Sequence, residues 1–207
     1  KYRSSLSSSS PFTEKGESAG FLFSCHLKAE EDCRIEKLSC ITTSRDFDGQ
    51  ISPPPSSWTF DGLAQREKDW WEKKWNETGI IIEGDDQAQT AMRYTVYQLI
   101  INCSPRDDSV SIGARGLTHT RYKGCYFWDT DLFMMPFYLL TEPSAAKSLM
   151  SFRVKTLPQA KEHARKMNGT GARYPWMVAL DGSEQCETWD IGCSEVHVTA
   201  DVAYALG

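Results

Sequence analysis

The hydrophobic positions near the start of the chain recur with a period of two. Residues 21–27 alternate between apolar and polar side chains, which is typical of a half-buried β-strand. After an acidic turn at residues 30–32, we predict a second strand over residues 34–43, so the two segments form a predicted hairpin. Residues 1–16 are rich in serine and weakly patterned. The first part of the chain is therefore predicted to be β-structure too short for a complete sheet domain.

A composition change marks the end of this part. Residues 47–62 include three consecutive prolines, which predict a linker or boundary. Residues 65–75 then predict a helix on which Trp71 and Trp75, four positions apart, share one face. We interpret the tryptophans as packing against a neighbouring domain, and a sugar-stacking role is the alternative.

From residue 85 the apolar positions follow a helical period. Asp85 or Asp86 is the expected N-cap of a helix that Pro105 ends. The predicted apolar face of this helix consists of Ala88, Ala91, Met92, Val96, Leu99, Ile100 and Cys103. The helices predicted after it are residues 131–140 (kinked or restarted at Pro136), one opened by Pro143, one from Pro158 to Asn168-Gly169, and residues 195–206. The fold class is therefore predicted to be mainly α.

Charge and composition exclude several function classes. The chain has 207 residues, 40% of them hydrophobic, and a net charge of −5, which argues against a nucleic-acid or anionic-membrane partner. It contains no apolar run of about 18 residues, so we expect no transmembrane helix. The seven cysteines form no C-x-x-C pair, and we interpret them as free thiols in a reducing cytoplasm. No convincing set of metal ligands is present.

The two ends of the chain predict a fragment of a longer protein. Residue 1 is lysine without an apolar leader behind it, and the last residue, Gly207, falls within a helical pattern. We therefore expect that part of the active site is supplied by sequence outside this chain.

The candidate chemistry lies in the loops between helices. Trp128 offers an aromatic face for a sugar ring, and the adjacent Asp129 offers a carboxylate that can accept two hydrogen bonds from neighbouring hydroxyls. The alternatives are a core position for Trp128 and an N-cap role for Asp129 or Thr130. A hydrolytic dyad of Asp129 and Asp131 is disfavoured, because residues two apart on a helix do not face each other.

For other loop residues, two interpretations stay open. Glu184, Glu187 and Glu195 are either functional loop carboxylates or solvent-exposed acids. His197 either binds an anion or a sugar hydroxyl, or has a structural role.

Several ordered motifs carry a family resemblance. They are Ser111–Leu117, Tyr122-Lys123-Gly124, Phe127–Asp131, Gly171–Trp176, Gly182-Ser183-Glu184 and Glu195–Tyr204. Together they resemble glycoside hydrolase family 65, the maltose, kojibiose, nigerose, trehalose and glucosylglycerol phosphorylases and their relatives. The resemblance is colinear from about residue 85 to the end, and looser over residues 21–46.

The resemblance implies an architecture and a sugar site. Residues 1–60 would be the C-terminal part of an N-terminal β-sandwich, residues 61–84 a helical linker, and residues 85–207 the first part of an (α/α)6 barrel catalytic domain. The substrate-binding residues implied are Trp128, Asp129, Trp176 and Glu184. The catalytic general acid, a glutamate, is expected beyond Gly207, so no catalytic residue is assigned within this chain.

The implied activity is inverting phosphorolysis. An α-glucoside, such as a disaccharide or glucosylglycerol, would be cleaved by inorganic phosphate to β-glucose 1-phosphate, with no cofactor and no metal. Expected partners are therefore the small-molecule glucoside and phosphate, and the full-length protein is expected to be a cytoplasmic homodimer. The alternatives are an α-glucoside hydrolase of the acid trehalase type and a non-catalytic carbohydrate-binding relative.

Two departures from the family pattern concern the preference for the aglycone. Cys125 stands where many members have histidine, and Asp131 where many have glutamate. Residues 184–190 differ from the maltose phosphorylase pattern and look closer to members acting on glucosylglycerol or kojibiose.

Overall fold

A computed structural model of the chain describes residues 2–4, 8–14, 18–24, 26–42, 45, 55–116, 121–186, 188–192 and 194–207. The chain divides into two compact units, Lys1–Lys74 and Trp75–Gly207. The domain boundaries expected from the sequence, after residues 60 and 84, stay predictions.

The strands that the structure describes in the first unit form two small antiparallel pairs. The strands are β1 (Tyr2–Ser4), β2 (Ser8–Glu14), β3 (Ser18–Ser24) and β4 (Ile35–Lys37). Strand β2 pairs with β3, with Ser8 opposite Ser24, and β1 pairs with β4, with Tyr2 opposite Lys37.

The predicted hairpin between residues 21–27 and 34–43 is therefore wrong. The first of these segments pairs instead with β2. Strand β2 lies in the serine-rich stretch of residues 1–16, where the alternation of apolar and polar side chains is weak. Three residues separate β2 from β3, whereas ten separate β3 from β4, and the shorter loop closes at a lower entropic cost. The second predicted strand is also shorter than expected, because within its described residues, 34–42, only Ile35–Lys37 pairs.

The predicted helix over residues 65–75 is confirmed and is longer than predicted. Helix α1 runs over Phe60–Thr78. The indole N–H of Trp71 donates to the carboxylate of Glu67, one turn earlier, at 2.8 Å. Whether the tryptophans of α1 pack on a neighbouring domain stays a prediction.

Helix α2 (Asp86–Asn102) begins as the sequence predicts. The side chain of Asp85 accepts a hydrogen bond from the N–H of Ala88 at 2.9 Å, so it is the N-cap. Val96 is buried as expected, whereas Ala91, predicted on the apolar face, is exposed.

The helices that follow also match the proline signals. A π-helical turn (Thr130–Met134) leads into α3 (Met135–Thr141), with Pro136 in its first turn, so the predicted restart is confirmed. Helix α4 is Pro143–Lys155 and α5 is Leu157–Lys166. The four-residue helix α6 (Trp189–Gly192) comes next, followed by α7 (Val198–Leu206). Helix α7 begins three residues later than predicted, because the carbonyl of His197 is the first to accept helical N–H bonds, from Ala200 and Asp201.

The mainly helical fold class is thereby confirmed. Two clusters of buried apolar side chains lie among the described residues of the second unit. One cluster lies between α3 and α4 around Met135, Tyr138 and Leu149. The other contains Ala160 of α5, Tyr174, and Val198 and Val202 of α7. Trp128 and Trp176 pack against this second cluster from the loops. None of the helices that the structure describes has the length and apolar character needed to cross a bilayer.

Candidate functional site

Three loop segments of the second unit are tied together by isolated β-bridges. Tyr126 pairs with Gly113 on one side and with Val178 on the other, and Val178 pairs with Glu184. Two main-chain hydrogen bonds of 2.9 Å join Tyr126 and Val178. This narrow ladder brings Trp128-Asp129 and Trp176 close together, although 48 positions separate the two tryptophans.

A cavity of about 400 Å³ opens beside the ladder. Its lining consists of Ile112, Ala114, Arg115, Tyr122, Phe127, Trp128, Asp129, Thr130, Met134 and Trp176. Ligand sites combine apolar or aromatic walls with a few polar groups, and this lining has that composition. A second cavity of about 320 Å³ shares four of these residues, and a third, of about 640 Å³, is lined mainly by aliphatic residues of α3 and α7.

Trp128 is half-buried within a group of aromatic rings. Its ring centroid lies 5.2 Å from that of Phe133, 6.5 Å from that of Trp176 and 4.7 Å from that of His197. The His197 ring meets the indole edge-to-face, whereas Trp176 is tilted by 40°. The indole is therefore fixed on the core side but also lines the cavity, so it is not sealed inside the core.

Asp129 is exposed on the cavity wall. It precedes the π-helical turn, but its side chain makes no capping hydrogen bond, and the hydroxyl of Thr130 donates to the carbonyl of Ile112 at 3.4 Å. The N-cap interpretation is therefore wrong for Asp129. Within the part of the chain that the structure describes, neither the Asp129 carboxylate nor the Arg115 guanidinium has a hydrogen-bond or ion-pair partner, so both are available to a ligand.

Asp131, two residues further on, has a different environment. It is buried and forms an ion pair with Arg153 of α4, with Nη2 at 2.5 Å from Oδ2 and Nε at 3.0 Å from Oδ1. Nη2 also donates to the carbonyl of Phe127 at 3.3 Å. The disfavoured dyad of Asp129 and Asp131 is excluded, because only Asp129 lines the cavity.

Glu184 uses its carboxylate to hold the Trp176 loop. Oε2 accepts the N–H of Trp176 at 2.7 Å, and Oε1 accepts the N–H groups of Met177 and Cys186, both at 2.9 Å. Charge-assisted bonds of this kind are roughly twice as strong as neutral ones. Trp176 lines the cavity, while Glu184 fixes its main chain from behind.

His197 is held between two carboxylates. Its Nδ1 lies 2.5 Å from Oδ2 of Asp201, and its Nε2 lies 3.1 Å from Oε2 of Glu195. The hydrogen bond with Asp201, assisted by the negative charges of both acids, raises the pKa of His197 above its ordinary value. Because both ring nitrogens are engaged, the geometry supports a structural role against Trp128 rather than a bond to a sugar hydroxyl.

The remaining sequence candidates are distributed as follows. Cys125 is buried in the loop before Trp128, and burial raises the pKa of its thiol. The described cysteines Cys33, Cys40, Cys103, Cys125 and Cys186 form no disulfide bond. Glu187 lies outside the described residues. Over the described ranges, no three His, Cys, Asp or Glu side chains are grouped so that they could hold a metal ion.

Sequence reasoning missed Arg153 and Arg115. Arg153 lies on the buried face of α4, four positions after Leu149, where an apolar residue is expected. A charge at such a position is the signal that could have found it, because a buried charge needs a partner. Arg115 is part of the Ser111–Leu117 motif, and nothing in its spacing indicates that it reaches the cavity.

Comparison with known proteins places the chain in a family. Residues 93–207 match the model of the glycosyl hydrolase family 65 central catalytic domain. The nigerose phosphorylase of Lachnoclostridium phytofermentans is 35% identical over 200 residues, 87% of this chain and 27% of that protein. The kojibiose phosphorylase of Caldanaerobacter subterraneus subsp. tengcongensis is 32% identical, over 94% of this chain and 28% of that protein.

A solved structure agrees with these relatives. It is described as "Putative kojibiose phosphorylase from human microbiome", is 32% identical, and superposes with a TM-score of 0.69 over 73% of this chain and 20% of that one. The chain spans about a quarter of the length of the curated relatives it matches. On the match to the central catalytic domain, this chain belongs to glycoside hydrolase family 65.

Proposed function

We propose that the full gene product is an inverting phosphorylase that cleaves an α-glucoside with inorganic phosphate to give β-glucose 1-phosphate. The relatives support this reaction class, because their names are nigerose, kojibiose, maltose and trehalose phosphorylase. These four sugars are all α-linked glucose disaccharides. The proposal therefore assigns the glucose unit they share to a site within this chain.

In this proposal, the cavity beside Trp128 binds the glucose that is transferred. The observation that carries it is an exposed carboxylate, Asp129, without a partner among the described residues and next to a half-buried indole on the same cavity wall. The indole face packs on the apolar face of the pyranose ring, and Asp129 accepts hydrogen bonds from two adjacent hydroxyls. Trp176 closes the site from the opposite loop, and Arg115 supplies donors to ring or hydroxyl oxygens.

The direct sugar contact that the sequence predicts for Glu184 stays a prediction. Both of its oxygens already accept main-chain N–H groups. We therefore propose that Glu184 contributes mainly by fixing Trp176, whose side chain reaches the cavity.

The chemistry needs one carboxylic acid outside this chain. A general acid, proposed to be a glutamate on a barrel loop beyond Gly207, protonates the glycosidic oxygen while phosphate attacks the anomeric carbon from the opposite face. Phosphate is already an anionic nucleophile, so no second carboxylate is needed to activate water. Configuration inverts in the single displacement. The hydrogen bonds that Asp129 accepts from hydroxyls of the sugar strengthen as the oxocarbenium-like transition state forms, and this lowers the barrier.

The architecture proposed for the full gene product follows the family resemblance. Residues 1–60 would complete a β-sandwich, residues 61–84 would form the linker, and residues 85–207 would open an (α/α)6 barrel. A cytoplasmic location, a homodimeric assembly and independence from cofactors stay predictions.

The decisive test uses the full gene product and a panel of α-glucosides, namely kojibiose, nigerose, maltose, trehalose and 2-O-α-glucosylglycerol. Each is incubated with and without phosphate, and glucose 1-phosphate and free glucose are both measured. The proposal expects β-glucose 1-phosphate only when phosphate is present. Free glucose released at equal rates in both conditions would instead establish a hydrolase of the acid trehalase type. No turnover of any glucoside, with sugar binding retained, would establish a carbohydrate-binding relative.

A further inference from the structure

A buried ion pair lies directly behind the proposed glucose site. The side chains of Asp131 and Arg153 are each only 1% exposed. Nε and Nη2 of Arg153 meet the two carboxylate oxygens of Asp131 at 3.0 and 2.5 Å, a bidentate arrangement that fixes both distance and orientation.

Arg153 also contacts the loops that carry both cavity tryptophans. Its Nη2 donates to the carbonyl of Phe127 at 3.3 Å, so Phe127 and Asp131, on either side of Trp128-Asp129, are bound to the same guanidinium. Its own main-chain carbonyl accepts the hydroxyl of Tyr174 at 2.7 Å, and Tyr174 lies two residues before Trp176. One residue of α4 therefore holds the two walls of the cavity.

Stability alone does not explain this pair. Removing two charges from water is costly, and a buried ion pair is often no more stabilising than well-packed apolar residues of similar volume. Moreover, Nη1 of Arg153 is buried without a hydrogen-bond partner among the described residues, which adds to the cost. An apolar pair would fill the same space, but it would not fix the direction of the Phe127 carbonyl or the position of the following turn.

We infer that Asp131 and Arg153 are a positioning pair for the glucose site. They set the placement of Trp128 and Asp129 relative to Trp176, and they act through the main chain without touching the sugar. This inference rests on the proposed function, because it requires that the cavity beside Trp128 binds the transferred glucose.

The test separates positioning from folding with paired substitutions in the full gene product. Asp131→Leu and Arg153→Met are each expected to lower the melting temperature strongly, because each leaves one buried charge unpaired. The double variant is expected to recover most of that loss. Its kcat/KM for the α-glucoside is nevertheless expected to stay at least about tenfold below wild type, while the KM for phosphate changes less than about twofold.

Two further variants keep the test decisive if the double variant fails to fold. Arg153→Lys keeps the charge but loses the bidentate fork, so a loss of kcat/KM for the glucoside with a normal phosphate KM is expected. Tyr138→Phe is the matched control: it deletes the hydroxyl that donates to the carbonyl of Leu99 and contacts Cys103 in the other core cluster, and it should leave kcat/KM unchanged.

Recovery of both melting temperature and kcat/KM in the double variant would overturn the inference, as would normal kcat/KM in Arg153→Lys.

If the wild-type protein releases glucose without needing phosphate, the proposed function fails, but the inference is still tested by comparing the rates at which the same variants hydrolyse the glucoside. If it turns over no glucoside, crystal structures of wild type and of Arg153→Lys decide. A displaced Trp128 and Asp129 supports the inference, and superimposable positions overturn it.

Discussion

Asp129 and Asp131 are two residues apart and occupy opposite environments. Asp129 is exposed on a cavity wall and has no partner among the described residues, whereas Asp131 is buried and bound by Arg153. Asp129 belongs to a loop that lines the cavity, and Asp131 belongs to the turn that anchors that loop to α4. The same side chain is therefore left open to a ligand at one position and fixed within the fold two residues later.

The contrast between these two aspartates separates a carboxylate that is bound within the fold from one that is available to a ligand. Buried polar groups in native proteins are almost always satisfied, so a partner for the Asp131 carboxylate is expected from its burial alone. An acidic side chain beside an aromatic wall, left without an internal partner, has no such explanation.

The largest effect is expected from neutralising the buried aspartate. Asp131→Asn leaves the Arg153 guanidinium without its counter-charge, which should lower the free energy of unfolding by about 3 to 5 kcal/mol. Chemical denaturation of the full gene product measures this loss. A change below about 0.5 kcal/mol, the size typical of surface substitutions, would contradict the environment described for Asp131.

The same substitution at the exposed aspartate should lower activity strongly and leave stability almost unchanged. Asp129→Asn is expected to lower kcat/KM for the α-glucoside by about 100- to 1,000-fold, because a charge-assisted contact to the reacting sugar is lost. Its unfolding free energy should stay within about 0.5 kcal/mol of wild type. Steady-state kinetics and denaturation are measured on the same preparation, and near-normal turnover would remove Asp129 from the glucose site.

An intermediate effect is expected at Glu184, whose carboxylate is satisfied but lies close to the site. Glu184→Gln replaces an acceptor of three N–H groups with an amide that can accept at one oxygen only, so a stability loss of about 1 to 3 kcal/mol is expected. KM for the glucoside should rise, because Trp176 loosens. Glu162→Gln on the exposed surface of α5 is the matched control and should change neither quantity.

A smaller effect on stability is expected at two aspartates that both precede a helical turn. Asp85 caps α2 through its side chain, whereas Asp129 makes no capping bond. Asp85→Ala should therefore cost about 1 kcal/mol of stability, and Asp129→Ala should cost almost none. Thermal denaturation of the two variants side by side tests the distinction, and equal losses would contradict it.

The smallest effect concerns His197, which contacts Trp128. Because Asp201 and Glu195 raise the pKa of His197 in the folded protein, the protonated form is favoured by folding. Its contribution to stability is fully present below its ordinary pKa and is lost as pH rises through the raised value. Melting temperatures of His197→Gln and wild type should therefore differ most at acidic pH and converge at alkaline pH. His26→Gln, at an exposed position in the first unit, is the control, and a difference independent of pH would contradict the prediction.

The local signals in the sequence predicted the helices well. Asp85, Pro136, Pro143 and Pro158 act within one or two turns of their own position, so each indicates a boundary without knowledge of the rest of the fold. The Trp128-Asp129 pair could be recognised as a candidate from the sequence for a similar reason, because its two residue types are adjacent in the chain.

The parts that were missed depend on contacts between distant residues. Strand pairing in the first unit was wrong because alternation identifies a strand but does not choose its partner. Arg153 meets Asp131 across 22 positions, and no spacing rule connects them. For Glu184, the sequence showed a loop carboxylate but not the three N–H groups that fold back around it.

The π-helical turn at Thr130–Met134 has a consequence for how the site could change. The N–H of Met135 bonds to the carbonyl of Thr130, so this turn holds one residue more than an α-helical turn would. The wider turn accommodates this extra residue, so the chain on either side keeps its helical phase. Deleting a single residue here is therefore expected to restore a regular α-helical turn while Trp128 keeps its orientation relative to α3. The extra residue widens the chain beside the cavity without changing which way the indole faces.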